Sequence, residues 1–600
     1  MSSRRTRHRM LDVPTAHVPR RVLLLCTGLF AALLCISWSA WRQSIDRARV
    51  LPRRAGHIVR PDLGLFEMSN STDAPHPILA VIARAQRLWQ EKLDVQSKTL
   101  QAAYGEYVRR YKRRPPKGFD MFKWCQDNGV QLLDEYDQLQ LDIEKYWAID
   151  PQELQKLQSE VEKGRETFTL GKATASANMS VVAHNMSPGH MEKSGRSRAN
   201  AQLALLEKVS QYFPPFRATW TTDDGKCVSP RFFATWEMKD AARKAAAVKE
   251  YIDPSTIKSP AKGWAAACPP NSALRHTDYS EPSQSDVAGY LHVTPKSFIM
   301  DLRASMNPCV NTDLVPLSTM GDHPQQPRPD RSFFPQFARA KTLLHADVLG
   351  TPLEDALSEE PDDIPWEKKK DHRLLWRGST TGRGSSQNWD VWRNSHRMRL
   401  AELAGRTEGS VPVLLPPTNL WVIGSKIKMV PLSQLNTLMD VGLVDAVQCD
   451  PQICEKIKQD YKIKERIYPE KGKQYKYVLD VDGNSWSSRF RRLMARNALV
   501  FKSTVYPEWW TDRSMPWVHY VPIKLDYSDL YDVLVFFRGL PDGSLPGQDA
   551  MGERIATAGR EWVDNFWRNE DVIAYTWRMY LEFVRVMSVD RASMDFALPP

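Results

Sequence analysis

Apolar positions along the chain change their period several times, and each change predicts an element. Val22 to Trp41 runs about twenty residues without a charge, long enough to span a bilayer. Arg42 to about Pro75 is polar and punctuated by proline, and reads as a stem. From Ile78 to Lys112 the apolar residues fall at helical spacing, which predicts one long helix broken near Val95. Asp134 to Gln158 predicts a helical pair, Lys172 to Arg198 a polar loop, and Ala201 to Tyr212 a further helix. Phe216 to Thr222 alternates and predicts a strand ending at Asp223-Asp224-Gly225-Lys226.

The second half repeats one unit. Leu374 to Ser379 is a short apolar run that meets Arg377-Gly378 and then Ser379-Thr380-Thr381-Gly382, with a helix expected from about Trp389 to Leu403. Tyr475 to Val481 predicts a buried strand. Asp482-Gly483-Asn484-Ser485 breaks it, and Asn484 or Ser485 is placed to cap a helix carrying Phe490, Leu493 and Met494. Ala498 to Lys502 returns to a strand, which completes a strand–glycine turn–helix–strand unit of a parallel sheet. Such a turn suits a diphosphate. Helix N–H groups point out of it, glycine admits a close backbone approach, and Arg489 offers a planar fork. An ordinary α/β crossover with a solvated arginine face fits the pattern as well. Tyr527 to Phe537 and Gly552 to Val586 read as closing helices. Trp509, Trp510 and Trp517 offer stacking faces, although at least two belong in a core, and His519 reads as a packed histidine.

Composition narrows the class. Six hundred residues, 42% hydrophobic and 26% charged, call for two globular domains with appendages. The net charge of +11 fits an anionic membrane surface, an anionic donor or a polysaccharide. It is spread along the chain, which leaves nucleic acid the weakest partner class. Six arginines precede the apolar run and six follow it by Arg60, so charge does not orient it. Asn70, Asn178 and Asn185 head glycosylation sequons downstream. Outside the run lie six cysteines (Cys125, Cys227, Cys268, Cys309, Cys449 and Cys454), an even number that suits an oxidising lumen and allows fifteen full pairings. No cysteine or histidine spacing matches zinc. The expectation is a single-pass type II protein of the Golgi or ER membrane: cytoplasmic tail 1–21, anchor 22–41, lumenal body. A cleaved signal peptide is the alternative.

The segment DGNSWSSRFRRL (482–493), followed by PEWW (507–510) and PWVHYVPIKLDYSDL (516–530), resembles the C-terminal signature of the capsule-associated-protein type of glycosyltransferase, family 90. That family includes fungal xylosyltransferases and animal protein O-glucosyltransferases. RRYKRRPPKGFD (109–120) resembles its fungal members, with no chemistry attached, and tilts the expected sugar toward xylose over glucose. The bland account of that run is a basic helix end that complements the helix dipole.

The resemblance implies a GT-B-like α/β fold of two Rossmann-like domains facing a cleft. The boundaries expected are 42–112 for the stem and helical region, 113–363 for the acceptor side and 364–600 for the nucleotide-sugar side. It implies inverting transfer from a UDP-sugar to a glycan, polysaccharide or glycoprotein hydroxyl. Donor contacts would come from Arg377, Gly378, Ser379, Thr380, Asp482, Gly483, Asn484, Ser485 and Arg489. Asp224, with Asp223 behind it, would be the base, although related enzymes carry a basic residue where this chain has Asp223 and a proline where it has Lys226.

Other readings compete. Asp480-Val481-Asp482 is a D-x-D pair of the kind that holds Mn²⁺ or Mg²⁺ on a donor diphosphate. It lies late in the chain beside arginines able to neutralise that charge, so no metal or other cofactor is expected. A non-catalytic lumenal carbohydrate-binding protein or scaffold is the second class. A glycoside hydrolase is the third, and would have no use for phosphate-binding turns.

Overall fold

The computed structural model describes residues 56–69, 74–222, 233–277, 287–318, 328–353, 363–382, 389–419 and 424–599. The expected tail, the apolar run 22–41, Asn70, Asp223, Asp224 and Cys227 lie outside them. Among the described residues no helix is long and apolar enough to cross a membrane. Everything below belongs to the compact unit from His57 onward.

Fifteen strands are described. The stretch read as a stem already contributes two, β1 (Ile58–Arg60) and β2 (Leu65–Glu67), which pair as a hairpin. Phe66 lies buried opposite Phe298, which overrides the polar composition around it. The first large sheet holds β3 (Thr167–Lys172), β4 (Ser180–Asn185) and β5 (Phe216–Thr221). The strand carrying Phe298 is β6 (Ser297–Ile299); β7 (Gln336–Ala338) and β8 (Val348–Leu349) then complete the first sheet in the order β4-β3-β5-β7-β8. Its β5, β7 and β8 run parallel.

The region 172–198 is not a loop. It holds β4 and the helix His190–Leu206. β4 is an edge strand with no fully buried residue, so its sequence lacks the apolar run that marks an inner strand. Asn178 and Asn185 are exposed on and beside it.

The second sheet is entirely parallel. Its strands are β9 (Asp371–Ser379), β12 (Met439–Asp445), β13 (Tyr475–Val481), β14 (Leu499–Ser503) and β15 (Val521–Pro522), while β10 (Ser410–Leu414) and β11 (Ile427–Pro431) form a separate hairpin. The order is β12-β9-β13-β14-β15. Every residue of β13 and β14 is buried, as expected of inner strands covered on both faces. From β9 the chain steps outward to β12, then returns past β9 to β13. The order reverses between β9 and β13, and the crevice beyond their carboxyl ends is where open parallel sheets bind ligands.

Helices cover both sheets. The long N-terminal helix is two, Pro77–Asp94 and Leu100–Tyr111, broken at Val95. Ile78, Val81 and Ile82 of the first pack in the core of the second sheet. The last helix, Asn569–Met587, closes on the first sheet instead, where Trp220 donates to the Tyr580 hydroxyl at 3.1 Å. Cys268–Cys309 and Cys449–Cys454 are disulfides, and Cys125 is a buried free thiol that burial pushes up to about 12.

Candidate functional site

Two loops meet at the reversal point. One follows β9 (Ser379 to Gly382), the other follows β13 (Asp482 to Arg489), and the Gly382 N–H donates to the Asn484 side-chain oxygen at 3.0 Å. Asn484 therefore ties the loops together and does not cap a helix. The Gly483 N–H donates to the Ser485 carbonyl at 3.0 Å, so the turn closes on itself. The helix starts late, at Phe490–Met494, with Arg489 at its N-cap.

Arg489 spans the point of reversal. Its guanidinium donates to the Arg377 carbonyl of β9 at 2.8 Å and to the Val481 carbonyl of β13 at 3.2 Å. Its Nε donates to Ser487 Oγ at 3.3 Å. The side chain stays 26% exposed, which leaves a cation at the mouth of the crevice.

Arg397 is a second clamp that no sequence signal pointed to, since it sits inside a helix with no motif around it. From the helix His396–Gly405 it donates to the carbonyls of Ser379 (2.8 Å) and Asp482 (2.6 Å) and to Thr381 Oγ1 (2.6 Å). Burial, and then the Arg489 charge, lower its pKa. A Cβ on Gly483 would lie 3.3 Å from its Nη2, so glycine makes room for the clamp.

The remaining predicted donor residues are placed differently. Arg377 reaches along the sheet to the Asp440 carboxylate at 2.7 Å and the Asp440 carbonyl at 2.6 Å, so its fork is engaged within the protein and its carbonyl receives Arg489. Gly378 makes room for the Trp376 ring, which a Cβ there would meet at 2.5 Å. Thr380 Oγ1 both accepts from the Val447 N–H and donates to the Val447 carbonyl, each at 2.8 Å, and fixes the loop after β12. Ser379 and Asp482 contribute carbonyls to Arg397, and Ser485 is buried.

Beneath the turn lies a buried acidic cluster around one lysine. Lys502 Nζ is 2.8 Å from Asp480 Oδ2, 4.0 Å from Asp482 Oδ1 and 3.7 Å from Glu508 Oε1. Ser487 donates to the other Asp480 oxygen at 2.5 Å, and the Val505 N–H donates to Asp482 Oδ2 at 2.9 Å. Burial pushes the Asp482 carboxyl up to about 6 and that of Glu508 up to about 8. Both acids of the D-x-D pair thus turn inward, onto lysine, hydroxyl and backbone. Trp509, Trp510 and Trp517 are core, and His519 accepts from the Met515 N–H at 2.9 Å.

The loop after β13 also touches the first sheet. Arg339, just beyond β7, stands 5.2 Å over the Trp486 ring and donates to the Thr222 carbonyl at the end of β5 at 3.3 Å. The carboxyl ends of β5, β7 and β13 thus converge, while Asp223 and Asp224, next in sequence, lie outside the described residues.

Open parallel sheets bind ligands in the crevice at their reversal point, and here a partly exposed arginine stands beside it. Residues 432–595 match the glycosyl transferase family 90 model, a span that includes Arg489 but not Arg377. The chain is 28% identical to Protein O-glucosyltransferase 1 of Rattus norvegicus over 116 residues, 19% of this chain and 28% of that protein. It is 29% identical to O-glucosyltransferase rumi of Drosophila pseudoobscura pseudoobscura over 120 residues, 20% and 27% of the two chains. Identity to O-glucosyltransferase LpsA of Dichelobacter nodosus is 29% over 99 residues, 16% and 29%. The chain spans between 21% and 31% of the length of such curated relatives.

Proposed function

We propose that this protein is an inverting glycosyltransferase that moves a sugar from a UDP-sugar to a hydroxyl of a glycan, polysaccharide or glycoprotein. The observation that carries the reading is Arg489, held between the carbonyl ends of β9 and β13 at the reversal point within a family 90 domain. The two large sheets serve as the halves of a GT-B-like arrangement, with Arg339 and Trp486 between them.

In this reading the donor diphosphate lies against Gly483, Asn484 and Ser485, beside the partly exposed guanidinium of Arg489. As the glycosidic bond to UDP breaks, charge builds on the leaving diphosphate, and a fixed guanidinium stabilises it more in the transition state than in the ground state. Arg377, Ser379, Thr380 and Arg397 position the two loops. The acceptor proton goes to Asp224, or to Asp223 beside it, as the acceptor oxygen attacks the anomeric carbon from the face opposite UDP. No metal takes part: Asp480 and Asp482 are spent on Lys502, Ser487 and the Val505 N–H, which supports charge neutralisation by arginine. Xylose is the favoured sugar, with glucose next. The protein is placed in the Golgi or ER membrane through residues 22–41, body in the lumen.

The test is to incubate the purified protein with acceptor and a panel of nucleotide sugars, reading released UDP. Acceptor-dependent release from UDP-xylose or UDP-glucose, undiminished in excess EDTA, is expected. Release of sugar from polymer by water would make the protein a hydrolase. Absence of either reaction would leave a binding protein. Loss in EDTA restored by Mn²⁺ would return the D-x-D pair to the diphosphate.

A further inference from the structure

The basic run after the Leu100–Tyr111 helix has no part in this site. The helix dipole accounts for Arg109 and Arg110, which sit in its last turn and pair with Glu106 at 2.7 and 2.6 Å. Lys112 is the C-cap, and Arg113, Arg114 and Lys117 lie beyond it, outside the last turn that the dipole serves. Among the described residues none of these four forms an ion pair, and Lys112, Arg114 and Lys117 are exposed.

A solvated charge run is expected to be loose. This one is fastened from both sides. Pro115 and Pro116 are buried, and Pro116 bridges Asp595. The Lys117 N–H donates to the Met594 carbonyl at 2.7 Å, and the Phe596 N–H to the Pro115 carbonyl at 2.8 Å. Arg585, from the last helix, donates to the Arg114 carbonyl. The backbone is fixed while the cationic heads are left unpaired.

Beside them lies a cluster of rings and arginines. The Trp147 ring has Arg113 at 4.3 Å, Arg585 at 5.0 Å and Arg591 at 5.2 Å, and Arg591 stands 5.5 Å from the ring of Tyr251. Arg591 spends its N–H groups on carbonyls, at 2.9 Å for Trp147 and 2.8 Å for Ile149, and no carboxylate among the described residues bonds it directly. Tyr251 is 53% exposed. Glu582 and then Glu144 are the acids that act on Arg113, Asp150 acts on Arg591, and Arg585 is paired with Glu582 and Asp595. Cations exceed acids on this face.

We propose that Lys112, Arg113, Arg114 and Lys117, with Tyr251 joined to the row through Arg591 and Trp147, form a docking surface for an acidic polysaccharide whose uronate carboxylates are spaced along the polymer. A pre-organised row of unpaired cations binds a polyanion without first ordering its own backbone. An exposed tyrosine next to such a row suits sugar rings. An anionic bilayer is the poorer occupant, because negative lipid is concentrated on cytoplasmic leaflets and the body is placed on the lumenal side. The surface binds whether or not the crevice transfers sugar.

The experiment uses the full chain in detergent, with polygalacturonate as the probe, dextran as the neutral polymer and phosphatidylserine vesicles as the lipid arm. Polygalacturonate is expected to bind, more weakly as salt rises, and dextran not to bind. Arg114→Gln with Lys117→Gln removes two exposed cations and leaves the Trp147 cluster whole. Affinity for polygalacturonate is expected to fall by about tenfold or more. The melting temperature, read on the same sample, is expected to stay unchanged and reports that the variant is folded. Lys112→Gln, at the other end of the row, is the second variant and is expected to fall in the same direction. Equal binding of polygalacturonate by wild type and both variants overturns the proposal. So does equal binding of dextran, or tighter binding of the vesicles than of the uronate polymer.

Discussion

Arg489 and Glu508 show how one side chain's surroundings set its chemistry. Arg489 lies partly in solvent, donates to three neutral oxygens and stands 3.5 Å from the Asp480 carboxylate, which Lys502 holds from the other side. Glu508 lies fully inside, and burial pushes its carboxyl up to about 8 from an ordinary 4.5. The sign of the consequence follows. Between about 4.5 and 8 the folded chain keeps a proton on Glu508 that the unfolded chain releases. Folded-state stability therefore falls as pH rises through that window, and Asp482, pushed up to about 6, adds a fall of the same sign lower down. Melting temperatures from pH 5.5 to 9 should decline less steeply in Glu508→Gln than in wild type. Parallel slopes would mean that Glu508 is ionised in the fold.

The elements around the crevice were legible in the sequence to the extent that burial imposed a pattern. Tyr475 to Val481 is β13, residue for residue, because a strand covered on both faces must be apolar throughout. The glycine turn after it was visible for the same reason. β4 was missed because an edge strand needs no such run, and the hairpin β1–β2 because three-residue strands are too short to show a period. The destinations of Arg377 and Arg397 were not readable at all. Both depend on which carbonyls the parallel sheet brings within reach, and that is fixed by strand order. Gly378 illustrates the same point. Its place in the run before Ser379 invites a phosphate role, whereas the structure shows it beneath the Trp376 ring. Gly378→Ala should cost about 1–3 kcal/mol by forcing a buried ring aside. A calorimetric scan with an unchanged melting temperature would show that the ring moves freely.

At the scale of the whole molecule, the parallel strands of two sheets end toward one another, and the last helix crosses back to the first sheet. The edge strand β4 carries Asn185 exposed, with Asn178 exposed just before it. A body placed in the secretory lumen should bear glycans there, and removal of N-glycans should lower the apparent mass of the native protein. A C-terminal body open to protease in intact vesicles would contradict that placement. The central claim is that the crevice between β9 and β13 holds a nucleotide diphosphate on Arg489. Calorimetric titration with UDP tests it most directly, on wild type, Arg489→Ala, Arg489→Lys and, as a control further along the same helix, Arg492→Ala. Charge-assisted hydrogen bonds are worth about 1.5–3 kcal/mol each, so Arg489→Ala should weaken UDP by about 10- to 1000-fold. Lysine should restore only part, since a point charge cannot replace the fork. Arg492→Ala should bind as wild type does. UDP affinity that is equal in Arg489→Ala and wild type, or lost equally in Arg489→Ala and Arg492→Ala with lowered melting temperatures, would contradict the account.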